Sequence, residues 1–194
     1  METFIMATHN RHKVEELSRI LEPMGIHVET AELPEVEETG TTFEENARLK
    51  ALSACRATGL PSVADDSGIA VDALNGAPGV YSARYAGEDA TDADRNRKLL
   101  DELKDVPEER RSARFVSAIC CVFPGGEEIA VTGVCEGSVA FAPRGQDGFG
   151  YDPVFLVGDK TYAELSPAEK DAVSHRGKAL RMLKEELLKR KSAG

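Results

Sequence analysis

The chain has 194 residues, 41% of them hydrophobic and 30% charged, with a formal net charge of -10. Such a length buries a full core, in one domain or in two closely packed lobes. The acidic balance argues against a surface that wraps nucleic acid or lies on an anionic membrane, since both need basic patches, and an anionic substrate has to be met by locally convergent Lys and Arg or by a metal.

The opening Met1-Glu2-Thr3-Phe4-Ile5-Met6 has no basic n-region, and no segment of the chain approaches ~18 apolar residues. Neither a signal peptide nor a membrane span is expected, and a cytoplasmic protein is. Phe4-Ile5-Met6-Ala7 predicts a first buried strand. Asn10 then caps a helix in which Val14, Leu17, Leu21 and Met24 recur at helical spacing, so Thr8-His9-Asn10-Arg11-His12-Lys13 forms a strand-to-helix loop. Ile26-His27-Val28 predicts a second strand, followed by an acidic segment over residues 35–38. Thr41 with Glu44 has the spacing of a capping box, opening a helix whose Phe43, Ala47, Ala51, Ala54 and Thr58 face a core and which ends near Gly59.

The apolar run Leu60-Pro61-Ser62-Val63-Ala64 stops at Asp65-Asp66-Ser67-Gly68 and resumes with Ile69-Ala70-Val71. Gly68 allows a sharp reversal, so the acidic doublet is expected on a tight corner at a strand end. There it is either an ordinary solvated turn or a pair of oxygen ligands suited to Mg²⁺ and substrate phosphates. Residues 75–87, rich in Gly, Pro and aromatics, form a long loop of the kind that carries function. Thr91 caps a helix with Leu99, Leu100 and Leu103 on its buried side. Residues 115–123 and 129–135 read as a hairpin joined through Pro124-Gly125-Gly126. Cys55, Cys120, Cys121 and Cys135 lack C-x-x-C spacing and are expected as reduced core thiols. The Gly-rich loop over 144–153 precedes an apolar stretch. Ser166-Pro167-Ala168-Glu169 combines a capping box with Pro at the first helical position, placing Lys170 in the first turn. Ser174-His175-Arg176-Gly177 leads into a closing helix with Leu180, Leu183 and Leu187 at helical intervals. Alternating elements followed by a hairpin predict an α/β fold with a mixed sheet.

No G-x-x-x-x-G-K-[ST] loop or H-E-x-x-H motif is present, and Gly145, Gly148 and Gly150 do not make a G-x-G-x-x-G fingerprint. What remains is a set of polar loops at element ends. Thr8 to Lys13 offers hydroxyl, amide and ammonium groups beside a helix start, as a phosphate site or as a plain N-cap. Glu37-Glu38 supplies oxygen ligands or a solvated turn. Phe149 and Tyr151 can stack on a base or plug the edge of the core. Lys170 alone reads as a surface residue. His175 and Arg176 carry directional donors for a nucleobase carbonyl or phosphate oxygens, or decorate a helix end.

In order along the chain stand Ala7-Thr8-x-Asn10-x-x-Lys13, Glu37-Glu38-Thr39-Gly40 with Phe43-x-Glu45-Asn46-Ala47, Ala64-Asp65-Asp66-Ser67-Gly68, Gly76-Ala77-Pro78-Gly79-x-Tyr81-Ser82-Ala83-Arg84-Tyr85, Gly148-Phe149-Gly150-Tyr151-Asp152-Pro153 and Ser174-His175-Arg176. Together, and over essentially the whole chain, they resemble the inosine triphosphate pyrophosphatase family, which hydrolyses aberrant purine nucleoside triphosphates such as dITP, ITP and XTP. The resemblance implies a single domain over 1–194, with a mixed twisted central sheet flanked by helices and two lobes enclosing the active-site cleft. It implies that Thr8, His9, Asn10, Arg11, His12 and Lys13 hold the triphosphate. Glu38 and Asp66 would bind Mg²⁺, with Asp66 also orienting or deprotonating the attacking water. Ser67, Phe149, Gly150, Tyr151, Asp152, Lys170, His175 and Arg176 would bind substrate, and the protein would be a homodimer. Asp65 is expected only to support the turn or to back up the metal ligands. One departure is His9, where many relatives carry Gly, which puts a side chain into the phosphate loop. Two other readings suit an acidic doublet beside a nucleotide pocket: a phosphatase with an Asp nucleophile, and a nucleotide sensor without turnover.

Overall fold

A computed structural model describes residues 2–193. Its strands are β1 (Glu2–Met6), β2 (Ile26–Glu29), β3 (Ser62–Val71), β4 (Ser112–Val122), β5 (Glu128–Val139), β6 (Phe155–Val157) and β7 (Lys160–Thr161), arranged in one sheet in the order β2-β1-β3-β4-β5-β6-β7. β1 pairs in parallel with both β2 and β3, whereas β6 is antiparallel to β5 and β7, so the sheet is mixed. Parallel neighbours need crossover connections. The helices α1 (Arg11–Leu21) and α2 (Phe43–Thr58) supply them, and α3 (Asp92–Glu102), α4 (Pro167–Val173) and α5 (His175–Ala193) complete the fold. Among the described residues no helix is long and apolar enough to cross a membrane.

The chain divides into two compact units. The first comprises Met1–Asp66, Ser117–Gly133 and His175–Gly194. Its strands follow the two-residue period of a pleat. On β1, Phe4 and Met6 pack with Leu17 and Leu21 of α1 and with Leu180, Leu183 and Leu187 of α5. Ile5 and Ala7 turn the other way, toward Ala47, Ala51 and Ala54 of α2. β4 repeats the pattern, with Ile119 and Cys121 in the first cluster and Ala118, Cys120 and Val122 in the second. Each fully buried Leu of α5 contributes roughly 1.5–3 kcal/mol. The four cysteines are buried free thiols, and burial pushes Cys120 up to about 11, away from reactive thiolate.

Helix starts follow the cap chemistry. The Asn10 side chain accepts from the N–H groups of His12 and Lys13, and Thr91 and Ser166 each make a capping box. For α2 the cap lies one residue later than expected. Thr42, not Thr41, accepts from the N–H of Glu45, while the Thr41 N–H donates to the Glu45 carboxylate at 2.7 Å. Two adjacent threonines made either register possible from sequence.

β3 overturns the expected corner. It runs unbroken through Asp65-Asp66-Ser67-Gly68, and Gly68 is not among the glycines with positive φ. The doublet therefore lies inside a strand, and consecutive strand residues point to opposite faces. Val63 belongs to the α1/α5 side and Ala64 to the α2 side. Alternation thus sends Asp65 toward α1 and α5, and Asp66 toward α2.

Gly133 of β5 lets the start of α5 approach closely. A Cβ there would run into the carbonyl oxygen of His175 and come to 2.6 Å from the N atom of Ala179. Both obstacles are helix backbone, so Gly133→Ala is expected to cost about 1–3 kcal/mol, read from urea unfolding. An unchanged midpoint would show that the start of α5 yields freely.

The second unit comprises Ser67–Val116 and Val134–Ser174. Its core gathers Ile69, Val71, Leu99, Leu103, Phe115, Val139, Tyr151 and Val154 around an aromatic group. Phe155 lies edge-on to Phe115 at 4.8 Å and Tyr162 stacks on Phe115 at 5.5 Å. Arg111, buried to 1% exposure, donates to the carbonyl oxygens of Leu103, Val106, Val139 and Ala140, tying the end of α3 to β5.

Candidate active site

The two aspartates of β3 meet different cations. On the α1/α5 side, Asp65 lies 2.6 Å from Lys13 Nζ and 3.3 Å from Arg176 Nη2, and accepts from Ser117 Oγ. Arg176 in turn donates through Nη1 to Glu16. Burial alone would raise the Asp65 pKa, but Arg176, Lys13 and the hydrogen bonds outweigh it and hold the group well below 3.8. For Lys13 burial wins and lowers its pKa despite Asp65, with Arg176 and Lys50 acting in the same direction. Burial works against Arg176 too, yet Asp65 and Glu16 keep it firmly charged.

On the α2 side, Lys50 Nζ is 3.2 Å from Asp66 and 3.2 Å from Glu38, and it also donates to the Asp65 carbonyl oxygen at 2.9 Å. Burial opposes the charge on Lys50, but Asp66, Glu38 and Asp65 raise its pKa overall. Asp66 behaves oppositely to its neighbour. Burial first, and then Glu38, raise its pKa against the pull of Lys50 and Lys13. Its Oδ2 atom is buried with no hydrogen-bond partner. The segment carrying Glu38 is fixed from α2, where the buried Asn46 side chain accepts from the Gly40 N–H at 2.8 Å.

In the Thr8 to Lys13 loop the structure shows the N-cap. Thr8 Oγ1 accepts from the Asn10 N–H at 3.0 Å, and Asn10 caps the helix, so the N-cap is real. His9, Arg11 and His12 are exposed, with Arg11 in an i,i+4 pair with Glu15, while the Lys13 amine turns inward to Asp65.

In the second unit, the Gly148-Phe149-Gly150-Tyr151-Asp152-Pro153 loop closes on Asp152. Its Oδ2 accepts from the Phe149 N–H at 3.1 Å and from Lys170 Nζ at 2.7 Å. Gly148, at φ +74°, is the residue type that fits, because a Cβ would collide with that same carboxylate oxygen. Lys170 is therefore a buried partner of Asp152 and not a surface residue; its Nζ also lies 4.6 Å from the centre of the Phe149 ring. The two loop aromatics differ. Tyr151 is a core residue whose hydroxyl donates to the Ser82 carbonyl oxygen at 2.6 Å, whereas Phe149 is only half-buried. Ser82 accepts from the Ile69 N–H at 3.0 Å, which fixes the 79–84 turn beside the β3 segment containing Ser67. His175, buried, opens α5 in the first unit.

Lys50, Glu16 and Ser117 were not singled out in the sequence, and Asn46 stood there only within a motif without a role, yet they complete the ion-pair and hydrogen-bond network of the first unit. For two of them a signal existed. Asn46 and Lys50 are four residues apart on α2, on a helix whose other buried positions are Ala and Cys, and polar groups at that spacing share a face.

Among the described residues no group of three or more His, Cys, Asp or Glu is arranged to hold a metal. Glu38 and Asp66 nevertheless converge on one amine, and Asp66 Oδ2 is an open buried acceptor. Two carboxylates completed by phosphate oxygens and water are an ordinary donor set for a hard divalent cation.

The Ham1 family profile matches residues 4–186. A protein from an Exiguobacterium species, named dITP/XTP pyrophosphatase, is 52% identical, with the match covering 95% of this chain and 96% of that protein. One of the same name from Nocardia farcinica is 53% identical, covering 94% and 93%. Among solved structures, a HAM1 protein from Coxiella burnetii matches with a TM-score of 0.89 at 44% identity, covering 97% of this chain and 100% of that one. A nucleoside-triphosphatase, dITP/XTP pyrophosphatase, from Mycobacterium abscessus matches at 0.75 and 52% identity, covering 93% and 98%. Similar in sequence and in fold from end to end, the chain belongs to the Ham1 family.

Proposed function

We propose that the chain hydrolyses non-standard purine nucleoside triphosphates (dITP, ITP and XTP) at the α-phosphorus, releasing the nucleoside monophosphate and pyrophosphate. The observation that carries this reading is the asymmetry of the doublet. Asp65 is locked into ion pairs, whereas Asp66 keeps a buried oxygen open and has a raised pKa, as suits a group that takes a proton from water. The names of relatives about half identical over nearly the whole chain supply the substrate class.

Asp66 and Glu38 would hold Mg²⁺, which when bound neutralises phosphate charge and polarises the bond that breaks. Asp66 orients and deprotonates the water, and Lys50 keeps the two carboxylates within 3.2 Å of a single cation. Thr8, His9, Asn10, Arg11, His12 and Lys13 take the phosphates. Ser67, Gly150 and Tyr151 line or brace the nucleoside site, and Phe149, braced by Asp152 and Lys170, offers a ring face to the base. His175 and Arg176 are the donors for a 6-oxo group, and because Arg176 commits both Nη groups to Glu16 and Asp65 we take His175 as the one to test first. Adenine presents an amino donor there, and a buried mismatch costs ~1–3 kcal/mol. His175→Ala is therefore expected to lower the dITP to dATP ratio of kcat/KM by roughly tenfold. Equal losses for both nucleotides would move His175 to phosphate binding or structure.

Incubation with dITP and Mg²⁺ in ¹⁸O-labelled water tests the activity. Equal amounts of dIMP and pyrophosphate, with the label in dIMP, are expected. Orthophosphate as first product would favour an Asp-nucleophile phosphatase, and binding without product a sensor. The homodimer, a cytoplasmic location and the lack of a nucleic-acid partner belong to the same proposal; sedimentation reads the first.

A further inference from the structure

We propose that Asp92 and Asn96 of α3 are positioning residues that fix the Phe149 loop for substrate; this rests on reading that loop as the purine platform. The two side chains grip one peptide residue from both sides. The Gly150 N–H donates to Asp92 Oδ2 at 2.9 Å, and the Gly150 carbonyl oxygen accepts from Asn96 Nδ2 at 3.1 Å. Asp92 and Asn96 stand at i and i+4 on α3, so they present one face to the loop. Gly150 has φ +61°, a conformation open to glycine and strained for most other residues.

Three further observations show why these two bonds matter. A cavity of about 600 Å³ opens beside α3 and the loop, lined among others by Asn96, Arg97, Leu100, Pro143 and Phe149. Tyr151 packs with Leu99 of α3 in the core, but on the cavity side the Phe149–Gly150 stretch meets α3 through these polar contacts. Asn96 is 6% exposed and its Oδ1 is buried without a hydrogen-bond partner, a cost that an apolar residue at this position would avoid. Asp92 is itself oriented by Arg95 at 2.7 Å, whose guanidinium also donates to the carbonyl oxygens of Ala83 at 3.1 Å and Ala90 at 2.8 Å. From Gly150 the chain leads directly to Phe149, whose N–H meets Asp152, and so to the Asp152–Lys170 pair. A shift at Gly150 displaces the ring and loosens that pair.

The test uses the full chain with Asn96→Leu, which keeps size and removes the donor, Asp92→Ala, and Asp92→Asn, which retains an acceptor oxygen. Asn96→Leu and Asp92→Ala are expected to raise KM for dITP by about tenfold with kcat within about twofold, while Asp92→Asn stays near wild type. They should also speed amide exchange across residues 148–152 by about tenfold, which reads the loop without any turnover. Unchanged KM, a fall in kcat at constant KM, or an Asp92→Asn variant as impaired as Asp92→Ala would overturn the positioning role. Failure of the wild type to release dIMP and pyrophosphate would instead sink the proposed activity. The exchange measurement then still decides whether the two side chains hold the loop. Asp92 is half exposed, so its variants keep the test open even where Asn96→Leu fails to fold.

Discussion

Asp66→Asn is expected to lower kcat for dITP by about 10²–10⁴-fold, the usual loss when a general base is removed, while KM shifts far less. The substitution keeps the size and shape of the side chain and takes away the charge and basicity. Folding should tolerate it, for a reason visible in the pKa directions. Asp66 is raised in the folded state, chiefly by burial, so its charged form is less welcome there than in the unfolded chain. Neutralising it relieves that penalty. Against this, Lys50 loses one of the carboxylates that sustain its charge, though Glu38 at 3.2 Å and the Asp65 carbonyl oxygen at 2.9 Å remain. The two changes oppose each other, and a melting temperature within a few degrees of wild type is expected. Steady-state kinetics with a parallel thermal scan checks both. A kcat near wild type would remove Asp66 from the chemistry, and a collapse of stability would assign it a structural role.

Much of this was legible in the sequence where one side chain and its own backbone decide the outcome. Asn10, Thr91 and Ser166 cap the helices they were expected to cap, because a cap needs only a residue and the next turn. Leu180, Leu183 and Leu187 lie in the core because helical spacing alone aligns them. The mixed sheet followed from the order of elements. What escaped depended on partners distant in the chain. Asp65-Asp66-Ser67-Gly68 has the composition of a turn, yet β3 continues through it. The aspartates can be buried because Lys13, Lys50 and Arg176 arrive from three helices. Nothing local announces that arrangement. Lys170 looked like surface for the same reason, since Asp152 lies eighteen residues earlier in the chain. The site followed this division: its motif residues were named from sequence, but Lys50 and Glu16, which hold two of them in place, were not.

The same alternation that frees Asp66 gives Asp65 the opposite task, and Asp65→Asn should lower stability by about 3–5 kcal/mol, the usual penalty for leaving buried charge without its partner. At roughly 2–4 °C per kcal/mol for a chain of this size, that is a fall in Tm on the order of 10 °C. The physical reason is the imbalance left behind. Lys13 at 2.6 Å would lose its carboxylate, and Arg176 would lose Asp65 while Glu16 stays. An Asn amide still accepts from one neighbour, but its own N–H₂ group faces cations or the Ser117 hydroxyl, which now donates to Asp65. Lys13, already lowered by burial, would lose the interaction that does most to sustain its charge, so phosphate binding should weaken along with the fold. A double-mutant cycle with Arg176→Met separates these contributions, because the two changes remove members of one pair and their costs should fall short of additive by at least about 1 kcal/mol. Additive losses would mean that Asp65 and Arg176 act independently. A Tm for Asp65→Asn within about 2 °C of wild type would show that Ser117 and Glu16 suffice without the Asp65 charge.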